Sequence, residues 1–143
     1  MEKKIYPRKW YPQKVLLLDE KQRESFNQLK NEIMSYEGIL NETTKYFDNF
    51  TYRNRMVFKL GVVGNMIKLY LALDSENYPK GQFPHKDVSE QAKHKNTPFL
   101  MKISSSLSLK RAMLLISDVI TNIKIMKKVD YTYKDYISDM EAY

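Results

Sequence analysis

The chain has 143 residues and a mass of 17.1 kDa, carries a formal net charge of +7 and contains no cysteine. Without cysteine it cannot hold a disulfide scaffold, a Cys-ligated zinc site, an iron–sulfur cluster or a thiol nucleophile. Its 43% hydrophobic residues are too many for a disordered chain, and its apolar runs are too short for a transmembrane helix. We therefore expect one basic domain with no membrane partner.

The positive charge is concentrated at two places. Residues 1–14 carry a net charge of +4 and residues 99–128 carry +5, whereas residues 129–143 carry −3. Only a short apolar run follows the basic start, which is too short for a secretory signal, so we expect a cytoplasmic location. The pattern predicts three segments: a basic N-terminal arm (1–18), one α+β domain (19–128) and an acidic, Tyr-rich C-terminal tail (129–143).

The first predicted elements are an extended arm, a helix and a strand. Two X-Pro pairs within residues 1–14 predict extended backbone there. Asp19 followed by Gln22 resembles a capping box, and the helical spacing of the apolar residues behind it predicts a helix over 20–37. Alternating threonine and aromatic residues over 43–53 predict a strand.

A β-hairpin is the strongest local signal. Gly64-Asn65 suits a two-residue type II′ loop between two strand-like runs. That loop sets the register, which places Phe58 opposite Leu71, Leu60 opposite Leu69, and Val62 opposite Ile67. All six apolar side chains then lie on one face, because side chains alternate along a strand.

The remaining elements complete a two-layer fold. Residues 74–97 form a polar connection with a short helix predicted over 88–94, and residues 99–103 alternate as a strand. Ser106 or Ser108 is placed to cap a final helix that ends near residue 127. The predicted order is α-β-β-β-(α)-β-α: a four-stranded antiparallel sheet with the helices packed on one face.

The predicted outer sheet face combines cations with aromatic rings. Such surfaces bind single-stranded nucleic acid, because bases stack on rings and phosphates pair with lysine or arginine. A solvated antiparallel sheet face shows the same residue types, so this pattern permits nucleic-acid binding without requiring it. The candidate nucleic-acid-binding residues are Arg8, Lys9, Trp10, Tyr11, Arg53, Arg55, Lys59, Lys68, Tyr70, Lys102, Lys110, Lys124 and Lys128. The last three lie on one predicted stripe of the final helix.

The C-terminal tail suggests a second class of function. Tyrosine is a favoured anchor at protein interfaces, and four of the chain's 11 tyrosines fall within the last 13 residues. The candidate protein-binding residues are Tyr131, Tyr133, Tyr136 and Tyr143. The alternative function is thus a protein inhibitor or adaptor, for example one encoded by a phage or mobile element. Such a tail could also cover the protein's own basic face, and we expect it to be docked rather than frayed.

No catalytic motif is present in the sequence, so we expect a non-enzymatic protein without a cofactor. Asp87, Glu90 and His94 have i, i+3 and i+7 positions that could gather on a helix face around a divalent cation. The more common structure for such residues is a solvated helix with charge pairs. Metal handling is therefore the third hypothesis, after nucleic-acid and protein binding.

Four short segments resemble an uncharacterised bacterial module found in Firmicutes proteins. They are residues 58–74 (FKLGVVGNMIKLYLALD), 87–89 (DVS), 97–98 (TP) and 107–112 (LSLKRA). That module is distantly similar to the YdhG/YjbR/frataxin-like group. The resemblance implies an α-β-sheet-α arrangement with an open sheet face. For different members of the group it implies iron handling or DNA binding, and it supplies no catalytic motif.

Overall fold

The computed structural model describes residues 9–143, which form an α+β fold around one antiparallel sheet. The helices are α1 (Tyr11–Leu16), α2 (Glu20–Met34), α3 (Ser106–Ile123) and α4 (Tyr136–Met140). The strands are β1 (Leu40–Thr43), β2 (Asp48–Tyr52), β3 (Arg55–Val63), β4 (Met66–Leu71), β5 (Lys86–Asp87) and β6 (Phe99–Ile103). Short 3-10 turns at Ser75–Asn77 and Ala92–His94 interrupt the connection between β4 and β6.

The sheet has six strands in the order β1-β2-β3-β4-β6-β5, so the predicted count of four is wrong. The strand predicted over 43–53 is interrupted: the range holds the last residue of β1, a tight turn that Thr44 closes with Phe47, and β2. The sixth strand, β5, is a two-residue edge strand inside the predicted polar connection. The predicted β3–β4 hairpin register is confirmed pair by pair, and Gly64 adopts the positive φ of 59° that its loop requires.

Residues 11–16 are helical, so the extended arm predicted over 1–14 is wrong for this part of the chain. Pro12 lies in the first turn of α1, where the missing N–H costs no intrahelical hydrogen bond. The buried side chains of Tyr11, Val15 and Leu18 join the main core. Residues 1–8 of the predicted arm lie outside the described residues.

Helices α2 and α3 both end earlier than predicted, at Met34 and Ile123 rather than near residues 37 and 127. The Asp19 side chain accepts the backbone N–H of Gln22 at 2.8 Å, which confirms the cap. The predicted cap of α3, Ser106 or Ser108, is wrong: the cap is Ser105, and Ser108 lies three residues later as its partner in a reciprocal capping box. Lys124 ends α3 in the left-handed region (φ 56°), so the predicted continuation to residue 127 is wrong. The predicted basic stripe is broken there, since Lys124 and Lys128 lie beyond the helix.

The C-terminal tail packs against the domain through α4, as expected. Tyr136, Ile137 and Met140 are buried in the main core, where α4 contacts α1 and α2. The tail therefore packs beside the N-terminal helices and does not cover the predicted basic sheet face. Within the part of the chain that is described, no helix is long and apolar enough to cross a membrane.

A buried carboxylate joins α1, α2 and the β1–β2 hairpin. Asp48 is fully buried on the helix-facing side of the sheet. Its oxygens accept hydrogen bonds from Tyr11 Oη (2.6 Å), Lys30 Nζ (3.1 Å), Asn41 Nδ2 (3.0 Å) and Thr43 Oγ1 (2.5 Å). Because a buried charge is tolerated only when paired and hydrogen-bonded, these four donors make Asp48 compatible with the core. Tyr11 is the first residue of α1, so its hydrogen bond to Asp48 holds α1 against the sheet.

Candidate functional site

The sheet face opposite α2 and α3 is only partly open. Tyr70, Val88 and Leu100 form a second apolar cluster there, with Phe47 packed against it. The connection between β4 and β6 supplies Val88 and thereby covers the middle of the face. The expectation of a fully open outer face is therefore wrong.

Lys59 lies beneath this cover and is only 3% exposed, so it does not offer its charge to a ligand as predicted. Its Nζ donates to the backbone oxygen of Lys93 at 2.6 Å and lies 2.7 Å from His94 Nδ1. The rings of Phe47 and Tyr70 flank the ammonium group at 4.7 and 5.4 Å from their centroids. Lys59 is thus a structural cation that holds the 93–94 segment on the sheet.

Burial and neighbouring cations lower the pKa values of both Lys59 and His94. Desolvation, with the charge of Lys93, lowers the pKa of Lys59 to about 8. Desolvation, with the charges of Lys59, Lys93 and Lys68, lowers the pKa of His94 to about 4. At neutral pH His94 is therefore uncharged, and its Nδ1 accepts a hydrogen bond from the Lys59 ammonium group. Stacking on Tyr70, with ring centroids 4.2 Å apart, holds the imidazole in place.

Beside this cover lies a basic groove of about 420 Å³. Five lysines line it: Lys9, Lys14, Lys45, Lys68 and Lys93. The other described residues of the lining are Trp10, Tyr46, Phe47, Gly61, Val62, Val63 and Tyr70, and none of the described lining residues is a carboxylate. Lysines and aromatic rings without a compensating acid form a site for an anion that carries flat apolar groups. We call this feature the lysine groove.

Three local contacts shape the lysine groove. The backbone N–H of Tyr11 donates to the carbonyl of Lys45 at 2.7 Å, which joins the start of α1 to the β1–β2 turn. This contact brings Lys45 Nζ to 4.8 Å from the centroid of the Trp10 ring. At the floor of the groove, a Cβ atom on residue 61 would lie only 3.2 Å from the Phe47 ring. Glycine at this position therefore allows the Phe47 ring to pack closely against β3.

Cationic side chains continue from the groove across the sheet. Lys68 on β4 is the direct register partner of Lys102 on β6, so both side chains project from the same face. Like charges directly opposite each other destabilise an antiparallel pair. Lys102 and Lys86 also line the adjoining hollow.

No family model, curated protein or solved structure matches the chain.

The structure brings together four of the predicted nucleic-acid-binding residues at the lysine groove: Lys9, Trp10, Lys68 and Tyr70. Trp10 is 46% exposed, while Tyr70 is largely buried and offers only part of its side chain. Lys102 lies next to the groove on the same face. Residues predicted in the N-terminal arm and residues predicted on the outer sheet face thus lie on one surface.

Other predicted residues lie elsewhere. Tyr11 is buried, with its hydroxyl on Asp48, and burial together with that carboxylate raises its pKa well above the usual value. It is therefore a core residue that cannot stack on a base. Arg53 and Arg55 are exposed at the β2–β3 turn, outside the groove lining. Arg8 lies outside the described residues.

The helix-borne cations do not join the groove either. Lys110 is exposed on α3, in the helical layer on the opposite side of the sheet from the groove. Lys124 follows α3 in the left-handed region, and Lys128 is half-buried, with its ammonium 5.7 Å from the Tyr131 ring centroid. These three therefore do not form the single stripe that was predicted.

The tail tyrosines divide into buried and exposed residues. Tyr136 is buried, which makes it a core residue rather than a partner contact. Tyr131 donates to Asn31 Oδ1 at 2.6 Å and is half-buried. Tyr133 and Tyr143 remain 61% exposed. Because the tail packs against the domain, Tyr136 is not available as one of the four predicted protein-binding tyrosines.

The predicted metal candidates do not converge. Residues 88–91 are not helical, so Asp87, Glu90 and His94 do not share a helix face. The His94 ring is instead engaged with Lys59 and Tyr70. Among residues 9–143 no group of three potential ligands is placed to hold a metal ion.

Five charged or aromatic residues of the groove are not among the predicted site residues: Lys14, Lys45, Tyr46, Phe47 and Lys93. The sequence pattern predicts Lys14 in an extended arm and Lys45 near the start of the strand over 43–53. Thr44 offers a usable signal for the turn: its side chain accepts the N–H groups of Tyr46 and Phe47, as turn-forming hydroxyl residues do. Lys93 lies in the Ala92–His94 turn, which is held on the sheet by contacts distant in sequence, from Lys59 and Tyr70.

Proposed function

We propose that the protein binds nucleic acid through the lysine groove, mainly by contacts to the phosphate backbone. The observation that carries this proposal is the lining itself: among residues 9–143, five lysines, four aromatic rings and no carboxylate surround one cavity. Phosphate contacts supply most of the affinity when no base-reading motif is present. The proposal extends to nucleic acid presented within a nucleoprotein complex, since the backbone is the same.

Single strands fit the groove better than duplexes. Trp10 and Tyr46 are exposed aromatic side chains within a lysine-rich cavity. An unpaired base can stack on such a ring, and this contact is worth about 1–3 kcal/mol per base. A duplex keeps its bases stacked inside and would use only the lysines. The arrangement therefore favours single-stranded DNA or RNA with little sequence preference.

Trp10 provides a direct test, because it is the only tryptophan in the chain. We expect its fluorescence to be quenched when a pyrimidine oligonucleotide is added at low salt. A single-stranded oligonucleotide is expected to quench more than the duplex of the same sequence, because only the strand offers a base to stack. Fluorescence anisotropy of a labelled oligonucleotide measures binding independently.

A matched pair of variants locates the site. Lys14→Ala with Lys45→Ala removes two groove lysines, whereas Lys21→Ala with Lys124→Ala removes two exposed lysines outside the groove. We expect only the first pair to weaken binding. The proposal is contradicted if neither single nor double strands bind at low salt, or if both variant pairs weaken binding equally.

A further inference from the structure

The outer face of α3 carries an unusual combination of exposed apolar and charged residues. Leu107 and Leu114 are 55% and 60% exposed. They are seven residues apart, so they lie on nearly the same line of the helix. Lys110 and Asp118 are also exposed and lie one turn before and one turn after Leu114. Exposed leucines on a regular helix face mark a surface suited to another helix.

This face is complementary to itself. Lys110 and Asp118 are each four residues from Leu114, so an antiparallel copy of α3 centred on Leu114 places each lysine beside the other copy's aspartate. The same symmetry places Leu107 beside Thr121 of the other copy. A two-fold axis therefore satisfies both charges at once, as an isologous interface requires.

Helix packing geometry favours the same arrangement. Lys110, Leu114 and Asp118 form one i±4 ridge along α3. The commonest class of helix packing sets the i±4 ridges of two helices side by side. An apolar hollow of about 620 Å³, lined by Leu109 and Met113 among others, lies next to Leu114. A leucine from a second copy can enter it and remove apolar surface from water.

A hydrogen bond within the same chain holds the Asp118 side chain in place before any association. Tyr78 Oη donates to one oxygen of Asp118 at 2.8 Å. Burial and that carboxylate raise the pKa of Tyr78 to about 12. The second carboxylate oxygen of Asp118 is available for a lysine of another copy. Holding a side chain in place before binding reduces the entropy lost on association.

We propose that two copies of this chain associate through antiparallel packing of α3, centred on Leu114. The lysine groove lies on the other side of the sheet from α3, so it stays accessible in the dimer. This inference does not depend on nucleic-acid binding. An interface built around one helix pair is small, and we expect a dissociation constant in the range of about 1–100 μM.

Charge-swap variants test this arrangement by sedimentation or light scattering over a concentration series. Lys110→Glu and Asp118→Lys should each weaken dimerisation by about tenfold, because each variant converts both ion pairs into like-charge contacts. An equimolar mixture of the two variants should form heterodimers, since both pairs then join opposite charges. Leu114→Glu should abolish association.

Controls separate this interface from general charge effects. Lys95→Glu and Asp130→Lys make the same charge changes at exposed positions outside α3 and should leave the dimer unchanged. The proposal is overturned if the wild-type chain stays monomeric at several hundred micromolar. It is equally overturned if mixing the two charge-swap variants fails to restore association.

Discussion

The salt dependence of binding is the sharpest test of the lysine groove. If each of the five groove lysines neutralises one phosphate of a single strand, the slope of log Kobs against log salt is about −3.5, at roughly −0.7 per contact. Affinity then falls about 100-fold between 50 and 200 mM salt.

Removing two groove lysines should change the slope as well as the affinity. In the Lys14→Ala, Lys45→Ala variant, three contacts remain, and the slope becomes about −2.1. The fall in affinity between 50 and 200 mM salt is then about 20-fold instead of about 100-fold. Fluorescence anisotropy with one oligonucleotide at five or six salt concentrations measures both slopes.

The control for this experiment is the Lys21→Ala, Lys124→Ala variant, which changes net charge equally but leaves the groove lining intact. Its slope should match that of the wild type. An equal decrease of slope in both variants would show that overall charge, rather than the groove, attracts the polyanion. A wild-type slope near zero would refute the phosphate-contact argument itself.

Three further predictions concern the scaffold of the site. Tyr11→Phe removes the hydroxyl donor to Asp48 and should lower the free energy of unfolding by about 1–3 kcal/mol in urea titrations. Stability should fall as pH decreases from about 6.5 towards 5. The unfolded chain protonates His94 at its ordinary pKa, whereas the fold holds that pKa near 4, so acid favours unfolding. Gly61→Val should displace the Phe47 ring, lowering stability by about 1–3 kcal/mol and weakening oligonucleotide binding.

Each scaffold prediction has a matched control. Tyr46→Phe removes an exposed hydroxyl and should leave the free energy of unfolding unchanged within about 0.5 kcal/mol. His94→Gln should flatten the pH dependence between 6.5 and 5, and an unaltered profile would contradict the assignment. Gly81→Val adds the same atoms as Gly61→Val, but at a site with open space, so a similar loss there would argue against the Phe47 contact.

The parts of the fold predicted from sequence are those determined by local pattern. Gly64-Asn65 and the alternation around it fix the β3–β4 register, since any one-residue shift would expose the apolar face. The Asp19 cap and the start of α2 follow from residues three apart. In both cases the structure favoured by neighbouring residues is also the one that buries the apolar side chains, which is why the prediction is correct.

The errors arise where a distant partner decides the structure. Tyr11-Pro12 suggests a break in isolation, but the buried Asp48 holds Tyr11 in the core and makes the segment the first turn of a helix. Lys59 occupies an outward-facing position and would be solvated if the 93–94 segment did not cover it. The groove combines residues from α1, the β1–β2 turn and the β4–β6 connection, and no spacing in the sequence relates these.

The hydrogen bonds around Asp48 also have a kinetic consequence. They tie α1 to the sheet, so Lys14 reaches the groove from a helix that is already in place. A preformed site does not wait for a slow rearrangement before it captures a ligand. Association with an oligonucleotide should therefore be a single-exponential process whose rate rises in proportion to ligand concentration and falls steeply with ionic strength. The observed rate should not level off at the value of a first-order opening step.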